Sequence, residues 1–289
     1  MKLADYSTDQ RLTATVNQSV RITPQESDAE IRNITLDVEG GGLATTIGQS
    51  IGVVVPGPHE FGHSEHFRLY TVANTRAANA SENGSNTQIE ICVKRCSYVD
   101  EFSGERHKGI ASHFLCDQRP GDQIIVTGPY GLPFKLPEEK SADLLMIGLG
   151  TGIAPFRAFV RHLYEHLGGW EGRVRLFYGA KSGLELAYMN DQQDDFVNYY
   201  DEETFAAFTA VSPRPHMDAP VPLDEQLSRN QEEVWDMVLK HDTHAYIAGL
   251  EGMLPQLDIA FADMAGSAEK WQRRKAELIA GQRWTELIY

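Results

Sequence analysis

The sequence predicts two domains in one chain: an antiparallel β-barrel over residues 1–140 and a parallel-sheet α/β domain over residues 141–289. Three observations carry this. The first half is a succession of short segments rich in β-branched residues and separated by turns. The second half alternates apolar strands with helical stretches, the pattern of a parallel sheet covered on both faces. Between them lies Gly131–Asp143, with Pro133, Pro137 and a charged EEKSAD run, which reads as a boundary.

Taken in order, Arg11–Ile22, Glu30–Val38, Ser50–Val55, His66–Ala73, Gln88–Lys94 and Gln123–Gly128 read as strands. Pro56–Pro58 and Asn79–Thr87 read as loops. Short strands at this spacing predict a small barrel. Within this half, KGIASHFL (Lys108–Leu115) predicts a short helix capped by Ser112, with Gly109 giving the backbone room in front of it. Past the boundary the predicted order is strand Leu144–Leu149, a helix through Leu167, and strand Val174–Gly179. A helical stretch Leu184–Tyr200, strand Phe205–Val211, helix Asp224–Lys240, strand Ala245–Ala248 and helix Pro255–Met264 follow. In the first of these helices Phe156, Phe159, Val160, Leu163 and Leu167 share one apolar face.

Met146–Arg157, MIGLGTGIAPFR, joins an apolar strand to a helix through a glycine turn, the order that a nucleotide pyrophosphate needs. Gly150 and Gly152 let the backbone turn tightly and approach a bulky phosphate. Pro155 suits the first helical position, and the free N–H groups of the helix start then face the anion. A second anion-ready region lies in the first half. Arg68 offers a planar fork, Tyr70 a ring with a hydroxyl, and the Gly109–Ser112 helix start another set of N–H groups. Two nucleotide-type sites in separate halves imply two cofactors. In parallel sheets ligands lie beyond the carboxyl ends of the strands, where a second glycine turn, Gly249–Gly252, also falls.

The chain has 41 acidic against 26 basic residues, a net charge of −15, which argues against nucleic acid as a partner. Lys94, Arg95, Arg106 and Lys108 form a local basic cluster; Arg273, Arg274 and Lys275 read as a solvated face. Apolar runs such as Ile51–Val55 are too short to span a bilayer, and the start MKLADYSTDQ lacks a secretory apolar core. Cys92, Cys96 and Cys116 have neither zinc nor disulfide spacing, so they read as packing residues in a reducing cytoplasm, with no metal site expected.

The motifs RLYT (Arg68–Thr71), ICVKR (Ile91–Arg95), KGIASHFLCD, GDQIIVTGPYG, GLGTGIAPFRAF, AVS (Ala210–Ser212), YIAGLEGM and a final tyrosine occur in one order along nearly the whole chain. In this the sequence resembles the plant-type ferredoxin–NADP(+) reductases. The resemblance implies an FAD-binding barrel followed by a Rossmann-like nicotinamide-nucleotide domain. It also implies hydride exchange between NADP(H) or NAD(H) and the flavin, and one-electron exchange with ferredoxin, flavodoxin or another iron–sulfur protein. It assigns Arg68, Leu69, Tyr70, Thr71, Cys92, Lys94, Tyr98, Gly109, Ile110, Ala111, Ser112 and Tyr289 to FAD. Tyr98 matches the ring that stacks on adenine, and Tyr289 the ring that covers the flavin until nicotinamide displaces it. Lys94, Gly150, Thr151, Gly152, Pro155, Ser212, Arg214, Gly249, Leu250, Gly252 and Met253 fall to the nicotinamide nucleotide. Thr71, Tyr289 and Glu286 fall to catalysis.

The departures from the family pattern bear on function. Thr71 stands in a serine slot, and Ala248 in the slot of a cysteine that helps to place nicotinamide. Leu287 occupies a glutamate slot, with Glu286 one step earlier. Around the 2′-phosphate, Ser212 is kept, but Pro213 follows it, Arg214 comes one residue late, and Ala219 and Val221 replace a lysine and a tyrosine. These losses predict a weakened preference for NADP over NAD. Two other roles fit the same sequence: the reductase subunit of an oxygenase, and a catalytically silent flavin-binding docking or assembly subunit. The retained RLYT, GTGIAP and Tyr289 favour the working enzyme.

Overall fold

The computed structural model describes residues 3–39, 43–57, 64–77, 87–100, 102–132, 134–217 and 219–289. The chain forms two compact units, Met1–Pro133 and Phe134–Tyr289. Phe134 opens the second unit because its ring packs with those of Phe156, Phe159 and Tyr246. The Tyr246 hydroxyl also donates to the Lys135 carbonyl at 2.6 Å. These contacts draw the stretch after Pro133 into the second unit, ahead of the boundary expected at residue 140.

The first unit is built on β1 (Leu12–Arg21), β2 (Ile31–Val38), β3 (Ser50–Pro56), β4 (Glu65–Ala77), β5 (Thr87–Lys94), β6 (Ser97–Val99), β7 (Arg106–Lys108), helix α1 (Ile110–Asp117) and β8 (Gln123–Tyr130). Six strands close a barrel in the order β1-β2-β5-β4-β3-β8, all antiparallel. Alternate residues point inward, so Val16, Ile34, Leu36, Ile51, Val53, Ile89, Ile91 and Val126 fill it. Helix α1 adds Ala111, Leu115 and Cys116 to that core. The ribbon β6–β7 stands outside the barrel as its own two-stranded sheet. Of the predicted loop at 79–87, residues 79–86 lie outside the described residues, as does Pro58.

The second unit holds β9 (Leu144–Leu149), α2 (Ile153–Arg161), β10 (Val174–Ala180), the two-residue strands β11 (Met189–Asn190) and β12 (Gln193–Asp194), β13 (Phe205–Val211), α3 (Leu223–Arg229), α4 (Gln231–Leu239), β14 (His244–Gly249), α5 (Leu254–Ala265), α6 (Ala268–Ala280) and β15 (Trp284–Ile288). Its parallel sheet runs β13-β10-β9-β14-β15. Central β9 is apolar without interruption, as a strand covered on both faces must be. Phe156, Phe159, Val160 and Leu163 of the predicted apolar face are fully buried.

Several predicted features take a different form. Residues 184–200 make no continuous helix. Tyr188 has φ 62°, and the Asn190 side chain accepts from the backbone of Gln192 and Gln193 at 2.9 and 3.0 Å, a turn that competes with helix. Buried Arg157 of α2 anchors this segment through Asp195 and by lying 4.6 Å above the Tyr188 ring. The predicted helix 224–240 is broken at Asn230 (φ −112°, ψ 24°), whose side chain donates to the Gln226 carbonyl. Cys92 and Cys116 are buried, whereas Cys96 is exposed. Arg274 and Lys275 are not a solvated face. Arg274 donates to the carbonyls of Val238 and Lys240, while Lys275 meets Asp258 and Glu286 and lies over the Trp284 ring. Helix α6, capped by the Ser267 hydroxyl, and strand β15 lie beyond the predicted elements.

Candidate functional site

In the first unit the predicted residues gather on β4, the end of β5 and the start of α1. Arg68 is exposed on β4, and among the described residues no hydrogen bond or ion pair engages its guanidinium. Leu69 is partly buried beside it. Tyr70 packs on the barrel core, and burial raises its phenol above the ordinary range. The Thr71 hydroxyl lies 3.2 Å from that of Ser50, its cross-strand partner, so Thr71 is oriented by a residue the motif reading missed. Cys92 is buried on β5, and Lys94 ends that strand.

The turn into α1 is held by three contacts. The Gly109 N–H donates to the Cys96 carbonyl at 2.9 Å and the Cys96 N–H to Ser112 Oγ at 3.1 Å. Ser112 Oγ in turn donates to the Gly109 carbonyl at 3.2 Å. Ser112 is therefore no helix cap. The cap position is Gly109, without a side-chain hydrogen bond, and Ser112 sits buried in the first turn. A Cβ on Gly109 would meet Ser112 Oγ at 2.8 Å and the Cys96 carbonyl at 3.0 Å, so a side chain there would crowd the turn. The result is a helix start whose first N–H groups carry no side-chain acceptor, suited to a phosphate oxygen. Ile110 is exposed there, and Ala111 is buried. Tyr98 stands exposed on β6.

In the second unit the glycine turn follows β9 as a 3₁₀ turn over Gly150–Gly152. Gly150 has φ 59° with open space around its Cβ position. A Cβ on Gly152 would sit 2.1 Å from the Ala248 carbonyl, so only glycine lets this turn lie against β14. Pro155 is the third helical residue rather than the first, and the Ile153 N–H that opens the helix is already taken by the Gly150 and Thr151 carbonyls. The Tyr178 hydroxyl braces the turn by donating to the Gly150 carbonyl at 3.1 Å while accepting from the Ala187 N–H. A tyrosine inside the apolar strand RLFYGA was the available signal, since a buried hydroxyl needs partners.

The second glycine turn is as tight. Gly249 has φ 151°, and a Cβ there would meet Met253 Sδ at 2.8 Å. Gly252 is open, and Leu250 is exposed beside it. Strand β15 brings Tyr289 to these turns: its N–H donates to the Gly249 carbonyl at 3.1 Å, and its hydroxyl lies 2.9 Å from Thr151 Oγ1. Glu286 is held elsewhere, accepting from Trp284 Nε1 at 2.7 Å and lying 3.4 Å from Lys275. Ser212 is buried and donates to the Ala219 carbonyl at 2.7 Å. The Arg214 side chain is exposed.

The profile of the oxidoreductase NAD-binding domain family matches residues 146–258, which carry both glycine turns. Over 263 residues the chain is 30% identical to the ferredoxin–NADP reductase of Spirulina sp., covering 88% of this chain and 87% of that protein. The chain belongs to the ferredoxin–NADP reductase family. Another member, from Synechocystis sp., is 31% identical over 261 residues, and the match covers 88% of this chain but 62% of that protein's length. Among solved structures, the ferredoxin–NADP+ reductase of Plasmodium falciparum superposes with a TM-score of 0.70 at 18% identity, covering 98% of each chain. That likeness extends the family fold to both units. Among the described residues no helix is long and apolar enough to cross a membrane, and no three potential ligands cluster around a metal-sized space.

Proposed function

We propose that this member of the family is a cytoplasmic FAD-dependent reductase that exchanges hydride with NADP(H) or NAD(H) and single electrons with a ferredoxin, a flavodoxin or another iron–sulfur protein. The observation that carries the reading is the pair of glycine-dependent anion cradles, one in each unit. Gly109 opens α1 in the first, and the Gly150–Gly152 turn opens α2 in the second. A Cβ on Gly109 or on Gly152 would crowd the backbone of Cys96 or of Ala248, and α1 opens with no side-chain acceptor on its first N–H groups, which suits a pyrophosphate oxygen.

In the first unit, Arg68 and the Gly109–Ser112 helix start hold the FAD pyrophosphate, with Ile110 and Ala111 carrying the N–H groups. Tyr98 takes the adenine. Leu69, Tyr70, Cys92 and Lys94 line the flavin side, and Thr71, oriented by Ser50, presents its hydroxyl to the ring system. Bound FAD supplies the conversion between a two-electron hydride and single electrons. In the second unit, Gly150, Thr151, Gly152 and Pro155 seat the nicotinamide nucleotide's pyrophosphate, with Gly249, Leu250, Gly252 and Met253 beside them. Tyr289 gates that turn through its hydroxyl contact with Thr151. Glu286 braces β15 against α6 through Trp284 and Lys275.

Heat release of the flavin from purified protein, run against standards, tests the reading together with reduction of an artificial acceptor by NADPH and NADH. FAD and turnover are expected. FMN, or a colourless protein that refuses FAD, removes the reading.

A further inference from the structure

We propose that His107 is part of the adenine site: its ring backs that of Tyr98, so that the FAD adenine stacks on a preformed pair of rings rather than on one mobile tyrosine. This rests on the reading of the first unit as the FAD unit. Strands β6 and β7 pair antiparallel with Tyr98 directly opposite His107. Their rings stack with centroids 5.3 Å apart and planes 27° from parallel, an offset geometry that aromatic pairs favour. All six residues of the ribbon are exposed, and Tyr98 is 59% exposed although one of its faces is covered by His107. Among the described residues no second ring stacks on Tyr98, which leaves its other face for a planar partner.

The rest of the ribbon keeps this pair in place. Asp100 accepts from the backbone of Phe102 at 3.0 Å and of Ser103 at 2.7 Å, and Gly104 takes φ 69° to close the turn. A ribbon of three residues a strand has little stability of its own, so the cross-strand ring pair is a principal contact holding Tyr98's plane. A ring already held loses less freedom when a ligand stacks on it. From His107 the chain passes through Lys108 to Gly109 and the open start of α1, two residues away. Aromatic platform and phosphate cradle thus follow one another in the order of an adenosine diphosphate. His107 acts through Tyr98 and is a positioning residue.

The test compares deflavinated full-length wild-type protein with His107→Val, which keeps strand propensity but has no aromatic ring, and His107→Phe, which restores one. Flavin-fluorescence titrations are run with FAD and with FMN, which shares the isoalloxazine and one phosphate but lacks adenine. His107→Val should weaken FAD binding about three- to tenfold with FMN binding unchanged, and His107→Phe should recover wild-type FAD affinity. Three results would overturn the proposal: wild-type FAD affinity in His107→Val, an equal loss for FMN, or no rescue by phenylalanine. Loss of FAD binding in Tyr98→Ala alone would leave the FAD reading standing without His107. Wild-type protein that takes up no FAD would end both.

Discussion

Arg68 is a cation with nothing engaging it among the described residues, on a strand whose other motif side chains are packed or hydrogen-bonded. Replacing it with alanine should weaken FAD binding by roughly 1.5–3 kcal/mol, the scale of hydrogen bonds to a charged group, and leave folding intact. An unchanged FAD dissociation constant would reduce Arg68 to a surface charge. Tyr289 makes the opposite case, since its hydroxyl occupies Thr151 of the nucleotide turn. Tyr289→Phe should tighten NADP+ binding about two- to tenfold, because one hydrogen bond no longer has to be exchanged. Equilibrium titration giving wild-type affinity would sink the gate. Ser212 offers a 2′-phosphate little, because its hydroxyl is committed to the Ala219 carbonyl. NADPH preference in kcat/KM should therefore stay below about a hundredfold, roughly 2.7 kcal/mol, and Ser212→Ala should alter the NADPH/NADH ratio less than about threefold. Discrimination of several thousandfold would mean that Arg214 and its neighbours rebuild a phosphate site.

At the level of elements, Asp143 ties together the start of β9, the start of β10 and the end of α4. Its carboxylate accepts from the Arg173 backbone and guanidinium and from Lys240 Nζ at 2.9 Å. Burial alone would raise its pKa, but these donors prevail and hold it below the usual carboxylate range. Its contribution to stability is therefore complete at neutral pH and is lost as pH falls below about 4. Asp143→Ala should cost about 3 kcal/mol, the low end for orphaning a buried pair, because Arg173 and Lys240 keep contact with water. Calorimetry should show the melting temperature falling roughly 6–12 °C at pH 7 and by less at pH 3, where the carboxylate's advantage has begun to fade. An equal effect at both values would assign the loss to packing.

The same elements mark what the sequence could disclose. Alternation made the barrel strands legible, and the unbroken apolar run of β9 marked a central strand. Asn190 and Asn230 were harder to read, because side chains that bond to nearby backbone stop a helix without leaving a glycine or proline as a sign. Helix α6 is mostly polar, and its buried side is narrow, with Trp271 and Leu278 fully covered and the stems of Arg274 and Lys275 partly so. Gly152 and Gly249 were readable because Ala248 and Met253 approach them too closely for a Cβ, and Gly150 because its φ is positive. Pro155 and Ser112 were misplaced in the helix start because motif spacing carries no information about hydrogen-bond partners.

For the molecule as a whole, a net charge of −15 sets a repulsive field for anionic reactants. Turnover of NADPH with ferricyanide as acceptor should speed up as ionic strength rises from about 10 to 150 mM, where the screening length shrinks from about 30 to 8 Å. A rate that falls with salt would show that the exposed Arg106 and Lys108, not the global charge, govern approach. The closed barrel carries a different kind of consequence. Its final seam joins β1 to β8, with Leu12 opposite Val126. During synthesis, β1 waits with an open edge until more than a hundred further residues have left the ribosome. Such distant pairing is slow to nucleate. The first unit should therefore mature late relative to its own translation, and production at lower temperature should raise the yield of flavin-competent protein by giving that waiting edge less opportunity to find another chain.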